Sequence, residues 1–140
     1  MTLDIYHTQA TTSISLPFIS SGVAAGFPSP ADDYLDISMD LNKELIKNPP
    51  ATFFARVKGL SMKDEGIMPN NILVVDKSVQ PKTGDLAVCF IDGDFTLKRI
   101  RKQKDCLYLM PSNKDFEPIK VTEDNDFMVW GIVTYIIKKP

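Results

Sequence analysis

Ser61 stands where the segment Arg56-Val57-Lys58-Gly59-Leu60-Ser61-Met62 leaves an apolar run and enters a glycine-containing turn. A serine after such a turn can expose its hydroxyl beside free backbone N–H groups, the layout a nucleophile needs next to an oxyanion hole. The same pattern also describes an ordinary turn serine or a helix N-cap. A second candidate is Lys98, in Phe95-Thr96-Leu97-Lys98-Arg99-Ile100. Strand alternation puts Thr96, Lys98 and Ile100 on one face and Phe95, Leu97 and Arg99 on the other. An ammonium held among apolar neighbours loses proton affinity through desolvation and can then take a proton from a serine. At a sheet edge the same lysine would snorkel into water instead. The third feature is the pair Ala25-Gly26, small residues that let an extended chain enter a narrow groove or that simply make a flexible joint. His7 is the only histidine, which argues against a Ser-His-Asp triad and a His-rich metal site.

These residues need a scaffold, and 140 residues with 44% hydrophobic content can supply one domain with a real core. The 16 basic and 18 acidic side chains leave a net charge of −2, which argues against a protein that chiefly neutralises DNA phosphates. No apolar run approaches the ~20 residues that span a bilayer. Cys89 and Cys106 each sit in an apolar, strand-like run and do not form a disulfide framework.

Residues 1–25 carry one charged side chain, Asp4, and read as an extended, mobile arm with some strand tendency. They lack the basic start and the continuous apolar stretch of a secretion signal. Residues 29–47 read as a helix: Ser29 as N-cap, Pro30 at the first helical position, and Leu35, Met39, Leu41 and Leu45 as a partial apolar stripe. The acids Asp32, Asp33, Asp36 and Asp40 then form a solvated helix face rather than a metal site. From residue 51 onward short β-branched and aromatic runs alternate with turns, and Asp92-Gly93 between two apolar runs marks a hairpin. The expected fold is mainly β, a sandwich or partly closed barrel of short twisted antiparallel strands, with a short N-terminal helix and arm.

Ser61 within Gly59-Leu60-Ser61-Met62, the stretch from Asp64-Glu65-Gly66 to Ile72-Leu73-Val74-Val75-Asp76, Gly84-Asp85, and the lysine of Phe95-Thr96-Leu97-Lys98 resemble one family. It is that of the self-cleaving serine–lysine peptidases of the SOS response, which includes the LexA repressor, phage repressors and UmuD. The resemblance runs from about residue 23 to 137. It implies Ser61 as nucleophile, Lys98 as general base, the backbone N–H groups of Leu60 and Ser61 as oxyanion donors, and Ala25-Gly26 as the scissile pair. The family usually has Asp before the serine; Leu60 stands here, and a backbone donor does not require that side chain. With only 25 residues ahead of Gly26 instead of a helix-turn-helix domain, the chain is similar to the UmuD branch.

That branch implies a cleavable arm, residues 1–25, and a peptidase and dimerisation domain, residues 26–140. It also implies a cytoplasmic homodimer whose cleavage is stimulated by a RecA–single-stranded-DNA filament. The processed form would serve a UmuC-like Y-family polymerase subunit, with no cofactor, metal, membrane or strong direct nucleic-acid contact. Two other readings stay open: a non-catalytic polymerase-binding adaptor, and a small barrel binding single strands through Phe53, Phe54 and Tyr108.

Overall fold

The computed structural model describes residues 2–7, 15–19 and 35–140. Within these the strands are β1 (Thr2–His7), β2 (Ser15–Ile19), β3 (Leu35–Asp40), β4 (Thr52–Lys58), β5 (Ile72–Asp76), β6 (Leu86–Ile91), β7 (Asp94–Lys102), β8 (Leu107–Met110), β9 (Ile119–Val121) and β10 (Phe127–Ile137). One short helix, α1 (Leu41–Leu45), follows β3. By contact the chain forms two compact units, Met1–Thr8 with Asn48–Pro140, and Gln9–Lys47.

The first unit is built on an eight-stranded sheet in the order β1-β4-β5-β10-β6-β7-β8-β9. All of its neighbouring strands pair antiparallel. Every strand-like run read from residue 51 onward is a strand of this sheet. The β6–β7 hairpin turns on Asp92 (φ 48°) and Gly93 (φ 94°). Two successive positive φ angles give a turn whose twist matches that of the flanking strands, as Asp-Gly favours.

Alternation along β6 and β7 divides the apolar side chains between two cores. Leu86, Val88 and Leu97 join Ala55, Val57, Met62, Ile67, Leu73 and Val75 in one. Ala87, Cys89 and Ile100 join Leu109 and Ile132 in the other. β1 also approaches β7, five places along the sheet order, so the sheet curls towards a partly closed barrel. Among the described residues no helix is long and apolar enough to cross a membrane.

Residues 2–7, expected within a mobile arm, are a full strand at the sheet edge. β1 pairs with β4 from Thr2↔Lys58 to His7↔Phe53. Leu3 and Ile5 pack against the first core, and Lys58 Nζ meets Asp4 Oδ2 at 2.8 Å. That exposed pair adds little by itself; the ladder and the apolar contacts hold the strand.

The helix expected over 29–47 is corrected. Residues 35–40 are a strand, β3, paired antiparallel with β2, and only Leu41–Leu45 is helical. Leu35, Ile37 and Met39 alternate with Asp36, Ser38 and Asp40, a period of two that competes with the helical stripe through Leu35, Met39, Leu41 and Leu45. Asp40, read as a solvated acid, is the N-cap of α1: it is only 8% exposed, and its Oδ1 accepts from the Asn42 N–H at 3.0 Å. Ser29, Pro30, Asp32 and Asp33 lie outside the described residues.

β10 slips its register against β6 between Val129 and Gly131. A Cβ at Gly131 would sit 2.5 Å from Val75 Cγ1 and 3.4 Å from the Asp76 carbonyl. Val75 is fully buried in the first core, so its side chain has to shift among packed neighbours to make room. Gly131→Ala is therefore expected to destabilise the fold by about 1–3 kcal/mol. Urea denaturation checks this, and a change within about 0.5 kcal/mol of zero would contradict it.

Candidate active site

β4 delivers the chain to Gly59, whose φ of 137° lies in the region that favours glycine. The turn directs Leu60 outward, at 44% exposure, and Ser61 inward, at 0%. A 3-10 turn over Lys63–Glu65 follows and closes on Gly66, a left-handed cap with φ 76°. Met62 between them is fully buried in the first core and anchors the turn.

The turn is clamped from two further sides. The Ser112 N–H donates to the Ser61 carbonyl at 2.8 Å, and the Asp64 N–H donates to the Ser112 carbonyl at 2.7 Å. Asn113 Nδ2 donates to the Leu60 carbonyl at 2.8 Å. On the other side Arg99 forks onto Glu65, with Nη2–Oε1 at 2.6 Å and Nε–Oε1 at 3.1 Å, while its Nη1 donates to the Gly84 carbonyl at 2.9 Å. Arg99 thus ties the serine turn to β7, the strand that carries Lys98.

Lys98 reaches Ser61. Its Nζ donates to Ser61 Oγ at 3.1 Å and to Thr96 Oγ1 at 2.7 Å. Lys98 is 3% exposed and Thr96 6%, so the three polar groups form a closed cluster. Across the β6–β7 ladder, Lys98 faces Ala87 and Thr96 faces Cys89. Burial is the larger influence on the Lys98 amine and pushes it below the usual lysine range. The Cys89 thiol is itself pushed up to about 12 by burial and so stays neutral. Among the described residues no carboxylate pairs with Lys98. A neutral amine within hydrogen-bond distance of a serine hydroxyl can accept its proton.

Of the site residues expected from the sequence, the structure brings Ser61 and Lys98 together and puts Leu60 immediately beside them. Among the described residues neither the Leu60 nor the Ser61 backbone N–H donates to a protein acceptor. Ala25 and Gly26 lie outside the described residues. The Thr96 hydroxyl and the Asn113 amide were not singled out by sequence reasoning. Thr96 was accessible to it, since a residue two positions from Lys98 on a strand shares its face.

A model of the Peptidase S24-like family matches residues 17–134. The chain belongs to that family. Members of the Peptidase S24-like family are generally self-cleaving serine peptidases. The chain is 38% identical to Protein MucA of Salmonella typhimurium, over 100% of this chain and 97% of that protein. It is 37% identical to Protein SamA of Salmonella typhimurium strain LT2, over 99% and 96%. The LexA repressor of Herminiimonas arsenicoxydans matches at 33% over 92% of this chain but 58% of its own length. Among Peptidase S24-like proteins this is therefore a UmuD-like member, of the SOS mutagenesis group.

Proposed function

We propose that this chain cleaves itself between Ala25 and Gly26, with Ser61 as nucleophile and Lys98 as general base. The observation that carries the reading is the 3.1 Å contact between Lys98 Nζ and Ser61 Oγ in a buried cluster. When Lys98 is neutral it still donates to Thr96 Oγ1 and offers its lone pair to the Ser61 hydroxyl. Lys98 takes the Ser61 proton as Oγ attacks the Ala25 carbonyl carbon, and the Leu60 and Ser61 N–H groups hold the oxyanion. The C–N bond breaks as the Lys98 ammonium protonates the departing Gly26 amine. A water that gives a proton to Lys98 then hydrolyses the Ala25 ester, and Ser61 recovers its proton.

Leu60 suits this chemistry because its side chain points outward and only its backbone serves the site. The scissile pair lies between β2 and β3, so cleavage separates the first 25 residues from the peptidase domain, residues 26–140. We assign regulation to a RecA–single-stranded-DNA filament that favours the conformer with the arm in the groove, a shift of population that needs no added catalytic group. The product acts in the cytoplasm as a homodimer supporting a UmuC-like Y-family polymerase.

Incubation of the full chain with activated RecA filament, followed by intact-mass analysis, tests this. A fragment beginning at Gly26, absent from Ser61→Ala, is the expected result. Processing that Ser61→Ala leaves unchanged would instead favour a non-catalytic adaptor cut by another protease.

A further inference from the structure

We infer that Asn113 is a positioning residue for the oxyanion hole, holding the peptide that joins Leu60 to Ser61. This inference rests on the reading of Ser61 as a nucleophile. A trans peptide is planar, with its N–H pointing opposite to its C=O. Whatever fixes the Leu60 carbonyl therefore fixes the direction of the Ser61 N–H. That carbonyl accepts from Asn113 Nδ2 at 2.8 Å and from the Lys63 N–H at 3.1 Å. The Lys63 bond is local to the turn and moves with it. Asn113, 53 positions away in sequence, provides an external reference.

Asn113 is itself held so that its donor can face nowhere else. It is 6% exposed. Its Oδ1 accepts from the Asp115 N–H at 3.0 Å, and its carbonyl accepts from the Phe116 N–H at 3.0 Å. With Oδ1 engaged by a donor, the amide cannot flip, so Nδ2 is the atom turned to Leu60. Next to it, the Ser112 N–H holds the Ser61 carbonyl at 2.8 Å and so fixes the following peptide. The two peptides flanking the nucleophile are thus both pinned by the segment between β8 and β9. Pre-aimed donors at the oxyanion are worth much of a hydrolase's rate, and their value depends on direction.

Asn113→Asp separates the two duties of this side chain. A carboxylate keeps an oxygen for the Asp115 N–H but has no N–H for Leu60. Asn113→Ala removes both. The experiment follows self-cleavage of the full chain by intact mass from neutral to alkaline pH, with thermal unfolding alongside, and with the natural sequence and Ser61→Ala as references. Both Asn113 variants are expected to remain folded and to lose about 10- to 100-fold at the alkaline plateau, where Lys98 is already neutral. Asn113→Ala should keep the midpoint of the pH profile, since an orientation defect leaves the base untouched. A plateau within about twofold of the natural sequence in either folded variant would overturn the inference. Unfolding of both variants would overturn it too, by making Asn113 a residue of the fold instead. Failure of the natural sequence to cleave, or cleavage by Ser61→Ala, would strike the underlying reading of Ser61 and is distinguishable from these outcomes.

Discussion

Ser61→Ala is expected to reduce self-cleavage by about 10⁴- to 10⁶-fold, as loss of a serine nucleophile does elsewhere. The fold should survive. Ser61 is fully buried, but its hydroxyl is a small group whose side-chain partner among the described residues is Lys98, and Lys98 keeps Thr96 when that hydroxyl is removed. The bonds that shape the turn, from Asn113 Nδ2 to the Leu60 carbonyl and from the Ser112 N–H to the Ser61 carbonyl, are accepted by backbone oxygens that alanine retains. Intact-mass time courses at alkaline pH, with melting curves for both proteins, check this. Cleavage within about tenfold of the natural rate would remove Ser61 from the chemistry.

The second large effect concerns Lys98. Lys98→Met is expected to reduce cleavage by about 10²- to 10⁴-fold, the usual worth of a general base. The natural sequence should cleave faster as pH rises, by about tenfold per pH unit, until Lys98 is neutral. Because burial depresses the Lys98 amine, that rise should level off below the 10.5 of an ordinary lysine. Stability carries the same signature with a defined sign. Between its depressed value and 10.5, folded Lys98 binds fewer protons than the unfolded chain does, so stability increases with pH across that window. Below the window the full cost of the buried charge is present. In a Ser61→Ala background, which prevents cleavage, urea denaturation should show the Lys98-containing protein gaining on Lys98→Met from neutral pH towards pH 10. A flat difference would place an unperturbed or permanently charged lysine at this position.

Local chemistry made much of the fold legible. Asp92-Gly93 marked the β6–β7 hairpin because two positive φ angles need those residue types. β-branched runs between turn residues marked the strands from β4 onward. Residues 35–40 misled because Leu35, Met39 and Leu41 satisfy a helical stripe while Leu35, Ile37 and Met39 satisfy a strand, and pairing with β2 decides between them. The docking of Thr2–His7 on β4 also rests on a distant partner, which a local pattern does not reveal.

The same division runs through the site. Alternation placed Thr96 beside Lys98, and the glycine turn singled out Ser61, yet neither showed that residues 37 positions apart would meet. Family resemblance supplied that pairing, and the geometry of the fold brings the two atoms together. The hold of Asn113 on Leu60 was not legible, since Pro111-Ser112-Asn113 reads simply as a turn until the two loops are seen side by side.

Self-cleavage by Ser61 and Lys98 is tested most directly by incubating the purified full chain alone at mildly alkaline pH and measuring intact mass over time. Ser61→Ala and Lys98→Ala should accompany it. The expected result is a fragment of residues 26–140 that accumulates only from the natural sequence, with a rate constant independent of protein concentration if each chain or dimer cuts itself. Accumulation of the same fragment from all three proteins would contradict the mechanism and point to a contaminating protease.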